Sequence, residues 1–434
     1  TLSMDTLALP VFLSALRPSV EPLQCPHGVW NAPGAKGDED TIPWPGAELF
    51  WQQIWSSVMG GMDLARQGDL AAARNLLADA LNAATTSLAP EPRLGFSCSL
   101  GIASIYRVLA LLSLEADGGN PSHGGLPGHQ LALRYQHLAT VWVTHVWEKY
   151  ARREDGGGPG DGWAWYDRSY IDASAWPIGL QELNVEMHSV QTTLTQKTWP
   201  LKASIGVEIP HSLRLPQLQI GIASVCAYPP DNPLPRYAAS NHQAYALRHG
   251  YRYRLETEKV SPERPPAWGK VRLLQRLLEE EPEVDWWLWF DCDTFFMNMT
   301  VTLESILHRY GATDANVQFV AAEDAAMLNT GAFLLRQSQW SKDFLRRVWG
   351  TQDSVWIKHP WWENAAIIWD LLRGLSERFR HDIGDASTQV YPEEVRIVPQ
   401  FELNSYHPAT AQSLHDAWTP GKFVLAFNGV LSNT

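Results

Sequence analysis

Cysteine is scarce in this chain: four in 434 residues, at positions 25, 98, 226 and 292, with no C-x-x-C spacing. That scarcity excludes a zinc knuckle and a dense disulfide framework, and leaves open a single Cys25–Cys98 bridge. Long apolar runs are lacking as well. The longest candidate, Leu7–Leu16, falls short of the roughly 18–20 residues that a membrane span requires. Positive charge is also in deficit. Lys and Arg number 34 against 47 Asp and Glu, a net charge of −13, and no basic run is present that could follow a phosphate backbone. Nucleic acid is therefore excluded as a partner. The chain begins at Thr1 without a Met, which leaves room for a signal or anchor segment ahead of it.

What is abundant is core material. Hydrophobic residues make up 45%, charged residues 19%, and 21 tryptophans are present, a globular composition on a chain long enough for two cores. Residues 1–45 are rich in Pro and Gly and read as an extended arm. From Phe50 to Leu88 apolar residues recur every three or four positions, broken at Arg66-Gln67-Gly68-Asp69, which predicts a helical hairpin similar to one tetratricopeptide unit without a second copy. Two more helical stretches are predicted at Gly101–Ala116 and Gln130–Arg153, so residues 1–160 read as an arm plus a helical domain. The glycine-rich run at 154–162 and the irregular region 161–214 connect it to the C-terminal half of the chain. Trp163, Trp165 and Tyr166 lie in that region and read either as core or as a platform for stacking a sugar.

After Leu215 the texture changes to alternating strand and helix. Gln219–Ala227 is predicted as a buried strand, Tyr237–His249 as a helix, Tyr251–Leu255 as a strand, Trp268–Glu280 as a helix and Trp286–Phe290 as a strand. That order predicts an α/β domain over 215–434 with a mostly parallel sheet, whose ligands bind beyond the carboxyl ends of the strands. The apolar run Trp286–Phe290 ends directly in Asp291-Cys292-Asp293. Two carboxylates two positions apart at a strand end can hold a hard divalent cation, which in turn bridges a diphosphate. The plainer alternative is a pair of solvated turn residues.

The surrounding residues resemble glycosyltransferase family 34 across about 217–429. The matching pieces, in order, run from Asn241 through His249-Gly250-Tyr251, PAWGK at 266–270, and EVDWWLWFDCDTFF at 283–296. They continue with LNTGAFLLRQSQWS at 328–341, ENAAIIWDL at 363–371, LNSYH at 403–407 and PGKFVLAFNG at 420–429. The resemblance implies a GT-A, Rossmann-like nucleotide-diphospho-sugar transferase domain. It also implies a UDP- or GDP-sugar donor, Mn²⁺ or Mg²⁺, transfer of a hexose or pentose with retention to a glycan or glycoprotein hydroxyl, and a Golgi or other secretory-lumen location reached through an anchor outside this chain. Residues 1–214 lie outside the resemblance, and the helical domain is expected to dock an acceptor or a protein partner.

By that resemblance Asp291 and Asp293 are the metal and diphosphate residues. Lys270 is expected to neutralise donor phosphate. Ala223, Ser224, Gly331 and Asp324 are expected to line the donor site, with Glu323 and Asp324 alternatively on the surface. Asn329-Thr330-Gly331 is expected to follow a strand ending near Leu328, with Asn329 close to the donor sugar. Glu363 and Asn364 stand where the family has Asp-Gln, so that Glu363 would stabilise charge at the anomeric carbon and Asn364 would bond a sugar hydroxyl. One departure is marked: Val424-Leu425-Ala426-Phe427 replaces F-V-x-H-F, and Ala426 cannot ligate a metal. His407, His415 and the Asn428 carbonyl oxygen are the alternatives, and a non-catalytic sugar-binding or scaffold protein is the competing reading. Asn298-Met299-Thr300 is a glycosylation sequon.

Overall fold

The computed structural model describes residues 217–324, 327–352, 354–358, 362–372, 390–411 and 417–427, with shorter stretches near the N-terminus, chiefly 67–88 and 128–151. The Cys25–Cys98 bridge, the aromatic cluster at 163–166, His415 and Asn428 lie outside the described residues. The chain divides into two compact units, Thr1–Leu194 with Leu372–Val390, and Thr195–Leu371 with Tyr391–Thr434.

In the first unit helix α1 (Leu70–Leu88) follows a turn in which Gly68 adopts φ 88°. Asp69 caps it, its Oδ1 accepting from the Ala72 N–H at 3.1 Å. The preceding stretch packs so closely that a methyl at Gly61 would lie 2.7 Å from Leu77 Cγ, as expected of a hairpin. Helix α2 (Gly128–Ala151) buries Leu131, Tyr135 and Leu138, and the Tyr135 ring lies 6.1 Å from that of Tyr106.

The second unit is built on β1 (Ile220–Val225), α3 (Leu234–His249), β2 (Arg252–Glu256), α4 (Gly269–Glu280) and β3 (Trp286–Phe290). These are followed by β4 (Thr294–Phe296), α5 (Leu303–Arg309), β5 (Phe319–Asp324), β6 (Met327–Arg336), α6 (Gln339–Trp349), α7 (Trp362–Leu372), β7 (Val395–Val398), α8 (Gln400–Leu403) and β8 (Val424–Ala426). The main sheet runs β2-β1-β3-β6-β5-β7, and every pairing is parallel except those of β6. It is an α/β sheet flanked by helices, of the GT-A-like kind expected. A fully parallel sheet would have missed β6, whose hairpin with β5 reverses direction and carries a register shift at Ala321/Ala322.

The order of connection fixes where a ligand can enter. From β1 the chain moves outward to β2, then returns to place β3 on β1's other side, so the strand order reverses between β1 and β3. At such a switch point the crossover connections leave in opposite directions and a crevice opens at the carboxyl ends. β1 and β3 sit tightly beneath it because Gly221 has no side chain: a Cβ there would lie 2.3 Å from Trp287 Cζ3. β4 and β8 form a separate antiparallel ladder, Thr294 opposite Ala426. Under the crevice, stacked rings of Phe290, Phe296 and Tyr245 have centroid spacings of 4.1 and 3.8 Å, a rigid floor for the turn at 291–293.

A carboxylate site at the strand switch

Asp291, Cys292 and Asp293 form the turn between β3 and β4, at the carboxyl end of β3. The Asp291 N–H donates to the Gly331 carbonyl at 2.8 Å, Thr294 N–H to the Asp291 carbonyl at 3.1 Å, and Phe427 N–H to the Asp293 carbonyl at 3.0 Å. Trp289 lies two residues earlier on the same face, and its indole N–H reaches Asp291 Oδ1 at 2.6 Å. Burial first, and then the charge of Asp291, push the Asp293 carboxyl up to about 7. The same two carboxylates, after burial, raise the Tyr228 hydroxyl to about 12, so this exposed ring beyond β1 stands beside the acidic pair.

Lys270 enters from the first turn of α4 and is only 4% exposed. Its ammonium lies 2.9 Å from Glu363 Oε1, 3.6 Å from Asp291 Oδ1 and 2.8 Å from the Thr330 carbonyl oxygen. Burial works to lower its pKa, but the Asp291 and Glu363 charges outweigh it, and the group is held above its ordinary range as a cation. Glu363 is the second residue of α7, directly after Trp362, whose φ of 42° is costly for a bulky side chain. Glu363 is 3% exposed, and its second oxygen, Oε2, is buried with no hydrogen-bond partner, as is Oδ1 of Asn364. Orphaned acceptors of this kind suit groups that donate, such as sugar hydroxyls.

Asn329 and Gly331 lie inside β6 rather than in a turn after it, which corrects the expected strand end near Leu328. The apolar count underestimated the strand because β6 continues through Asn329, which pairs with Ala322 of β5, and through the irregular stretch that follows before pairing resumes at Phe333. The Asn329 amide nitrogen donates to Asp324 Oδ2 at 2.7 Å and to the Tyr406 hydroxyl at 2.9 Å, while its oxygen accepts from the Gly331 N–H at 2.7 Å. Both amide hydrogens are thus engaged within the protein. Tyr406 also donates to Asp324. Glu323 and Asp324 are 2% and 8% exposed, so neither is a surface residue; Glu323 accepts from the Tyr391 hydroxyl. Gly331 allows this convergence, since a Cβ there would meet Asn329 Oδ1 at 3.0 Å and Asp291 Oδ2 at 3.4 Å. The side chain of Asn404, wholly buried with both polar atoms unpartnered, lies on the same spot, its Nδ2 at 3.9 Å.

Other expected residues fall outside this cluster. Ala223 and Ser224 lie buried on β1, and the Ser224 hydroxyl donates to the Phe290 carbonyl at 2.6 Å, tying β1 to β3. Ala426 is buried opposite Thr294, one position from the residue facing Asp293. His407 stacks its ring on Phe427 at 5.2 Å and accepts the Ala409 N–H through Nδ1. The sequon residue Asn298 uses its side-chain nitrogen to bond the Gly421 carbonyl at 3.1 Å.

Among the described residues no group of three or more His, Cys, Asp and Glu is gathered as a metal cage. Two hard carboxylates at a rim, one disfavoured as an anion by burial and then by the other's charge, nevertheless fit Mg²⁺ or Mn²⁺ shared with phosphate oxygens, the usual mode for cations that arrive with a nucleotide.

Sequence reasoning missed two features. Tyr228 carried no motif. Cys226 and Cys292 form a disulfide with Cα atoms 5.2 Å apart, and the signal was available: 66 residues separate them, as 66 separate Ile220 from its β3 partner Trp286.

Comparison with known proteins agrees with the resemblance read from the motifs. Residues 222–311 match the galactosyl transferase GMA12/MNN10 family. A probable alpha-1,6-mannosyltransferase of Saccharomyces cerevisiae, MNN10, is 29% identical over 153 residues, covering 29% of this chain and 38% of its own length. An uncharacterized alpha-1,2-galactosyltransferase of Schizosaccharomyces pombe is 26% identical over 150 residues, covering 26% of this chain and 40% of its own. The matches thus span about two fifths of these relatives. The crystal structure of a glycosyltransferase involved in the glycosylation of the major capsid of PBCV-1 aligns over 49% of this chain and 93% of its own, at 18% identity and a TM-score of 0.36, too slight a likeness to argue from.

Proposed function

We infer that this chain, a glycosyltransferase resembling family 34 with its family match at residues 222–311, moves a hexose or pentose from a UDP- or GDP-sugar to a hydroxyl of a glycan or glycoprotein. The observation that carries this reading is the acidic pair Asp291 and Asp293 at the β1/β3 switch point, with Lys270 and Glu363 buried beside it.

In this reading Asp291 and Asp293 hold Mn²⁺ or Mg²⁺ together with the donor diphosphate, and the cation, when bound, offsets negative charge on the departing nucleotide. Lys270 pairs with Glu363 and Asp291 and orients them, and supplies a fixed positive charge behind the diphosphate. Tyr228 offers its exposed ring to the base. Glu363 presents Oε2 toward the sugar, where a carboxylate stabilises positive charge at the anomeric carbon, and Asn364 accepts from a sugar hydroxyl. Asn329 and Asp324 brace Gly331 and the β5–β6 hairpin beneath the sugar. Retention of configuration follows from the family resemblance. The Cys226–Cys292 disulfide supports an oxidising compartment such as the Golgi lumen. No helix among the described residues is long and apolar enough to cross a membrane, and an anchor outside this chain would serve. The helical unit would dock the acceptor or a partner protein.

The test is a panel of UDP- and GDP-sugars with Mn²⁺ or EDTA, scored by release of nucleoside diphosphate. Metal-dependent release from one donor establishes the donor class and names the sugar. No release, with no thermal shift from any nucleotide, favours a sugar-binding or scaffold protein.

A further inference from the structure

We propose that the Cys226–Cys292 disulfide is a positioning device for the Asp291-Cys292-Asp293 turn, so that capture of a cation and a nucleoside diphosphate at this turn depends on the oxidation state of these two sulfurs. The inference rests on the reading of the site given above.

The bridge continues the sheet by covalent means. β1 and β3 are paired in register from Ile220↔Trp286 to Ala223↔Trp289. Extending that register by three residues lands on Cys226 and Cys292, whose Cα atoms are 5.2 Å apart, close to the separation of neighbouring strands. The ladder from β1 to β3 ends at Ala223↔Trp289, while that from β1 to β2 runs on from Gly221↔Arg252 to Val225↔Glu256 and is followed by the Cys226 N–H to the Glu256 carbonyl at 2.7 Å. At the height of the carboxylates, β1 is therefore tied to the turn after β3 by sulfur.

The position within the turn gives the bond its effect. Cys292 is the residue between the two carboxylates, and it is 4% exposed among Leu234, Ala238 and Cys226. Asp291 is held from the β6 side by the Gly331 carbonyl, and Asp293 from the β8 side by the Phe427 N–H. The disulfide supplies the third tether, on the β1 side. Two like charges flanking one residue repel, and repulsion opens a turn; a turn fixed on three sides keeps both carboxylates aimed at one point before the ligand arrives. Preorganisation of this kind lowers the ordering cost that binding would otherwise carry.

Reduction by a dithiol such as dithiothreitol is a balanced exchange. The Cys226–Cys292 bond breaks, both sulfurs take up protons as thiols, and the reductant leaves as its own disulfide. The tether is lost while every backbone hydrogen bond of the sheet remains available.

The experiment uses the full chain, oxidised, reduced with dithiothreitol and reoxidised with oxidised glutathione, with a Cys226→Ser/Cys292→Ser double variant beside it. Two quantities are read: amide hydrogen exchange of peptides covering 291–294, and binding of UDP and GDP with Mn²⁺ by calorimetry. Reduction is expected to speed exchange at 291–294 but not in β5 and β6, and to weaken nucleotide binding about tenfold or more. Reoxidation should restore both. The double variant should bind weakly from the outset and ignore the reductant, which separates this bridge from Cys25 and Cys98. Unchanged exchange at 291–294 on reduction overturns the proposal whatever the ligand is. Faster exchange with unaltered nucleotide affinity overturns it as well, as does a double variant that still responds to dithiothreitol. An oxidised protein that binds neither nucleotide overturns the donor reading itself, and this inference with it, and is recognised because binding is absent before any reduction.

Discussion

Lys270 Nζ stands 2.9 Å from Glu363 Oε1 and 3.6 Å from Asp291 Oδ1, so one buried ammonium serves both the carboxylate at the head of α7 and the carboxylate at the end of β3. Removing the ammonium leaves Glu363 an uncompensated buried charge. Lys270→Met should lower the stability of the second unit by about 3–5 kcal/mol, and Lys270→Met/Glu363→Gln should recover part of that loss. Denaturant unfolding of the two variants checks this, and equal midpoints would mean the pair is not coupled.

The Asp293 carboxyl, with a folded pKa of about 7 against an ordinary 3.8, carries a pH signature. Between those values the folded protein holds a proton that the unfolded chain has released. Its contribution is therefore full below about pH 4 and declines as pH rises toward and through 7. In EDTA, the wild-type Tm should fall relative to that of Asp293→Asn across this window, and Mn²⁺ should narrow the gap. Parallel curves for the two proteins would remove the like-charge pair from the account.

His242 carries the opposite sign. Buried against Phe290 and Phe296, with Nε2 2.7 Å from the Thr294 carbonyl oxygen, its ring is held down to about 4 from 6.5, chiefly by burial. As pH falls through that interval the unfolded chain takes up the proton first, so stability is lost between about pH 6.5 and 4. His242→Asn should lower stability at pH 7.5 yet flatten the acid side of the Tm profile.

At Asp291 the expected loss is functional. Asp291→Ala should reduce donor turnover by about 100-fold or more, since several kcal/mol of charge stabilisation go with the cation, while circular dichroism stays that of the wild type. Unchanged turnover would remove the acidic pair from the reaction.

Gly221→Ala tests the packing beneath the site. Its Cβ would lie 2.3 Å from Trp287 Cζ3, and overpacking of this kind costs about 1–3 kcal/mol. Gly221→Ala/Trp287→Leu should recover part of the loss, measured by thermal unfolding.

Much of the second unit was legible because its signals are local. Trp286–Phe290 is a strand over the predicted residues, since five apolar residues bounded by Asp on either side have one economical burial. Helix α3 begins at Leu234 rather than Tyr237, because Pro233 and Pro235 suit a first turn that apolar spacing does not reveal. Apolar spacing also fails to show β6 at Asn329-Thr330-Gly331, where the polar side chains are accommodated by distant partners, Lys270 lying 60 residues before Thr330 and Tyr406 77 residues after Asn329. Glu323 and Asp324 looked equally suited to the surface, because a carboxylate's burial depends on a tyrosine that the local sequence cannot supply.

By itself the sequence determined the class of fold, the strand that ends in two carboxylates, and the family to which residues 222–311 are similar; each depends on neighbours along the chain or on short motifs in order. Only the tertiary structure decided that Lys270 bridges Asp291 and Glu363, that Asn329 is braced by Tyr406, and that Cys226 is bonded to Cys292. These are contacts between residues far apart in the chain, and they are fixed by the register in which β1, β3 and β6 pack, a property of the whole sheet that none of its strands contains.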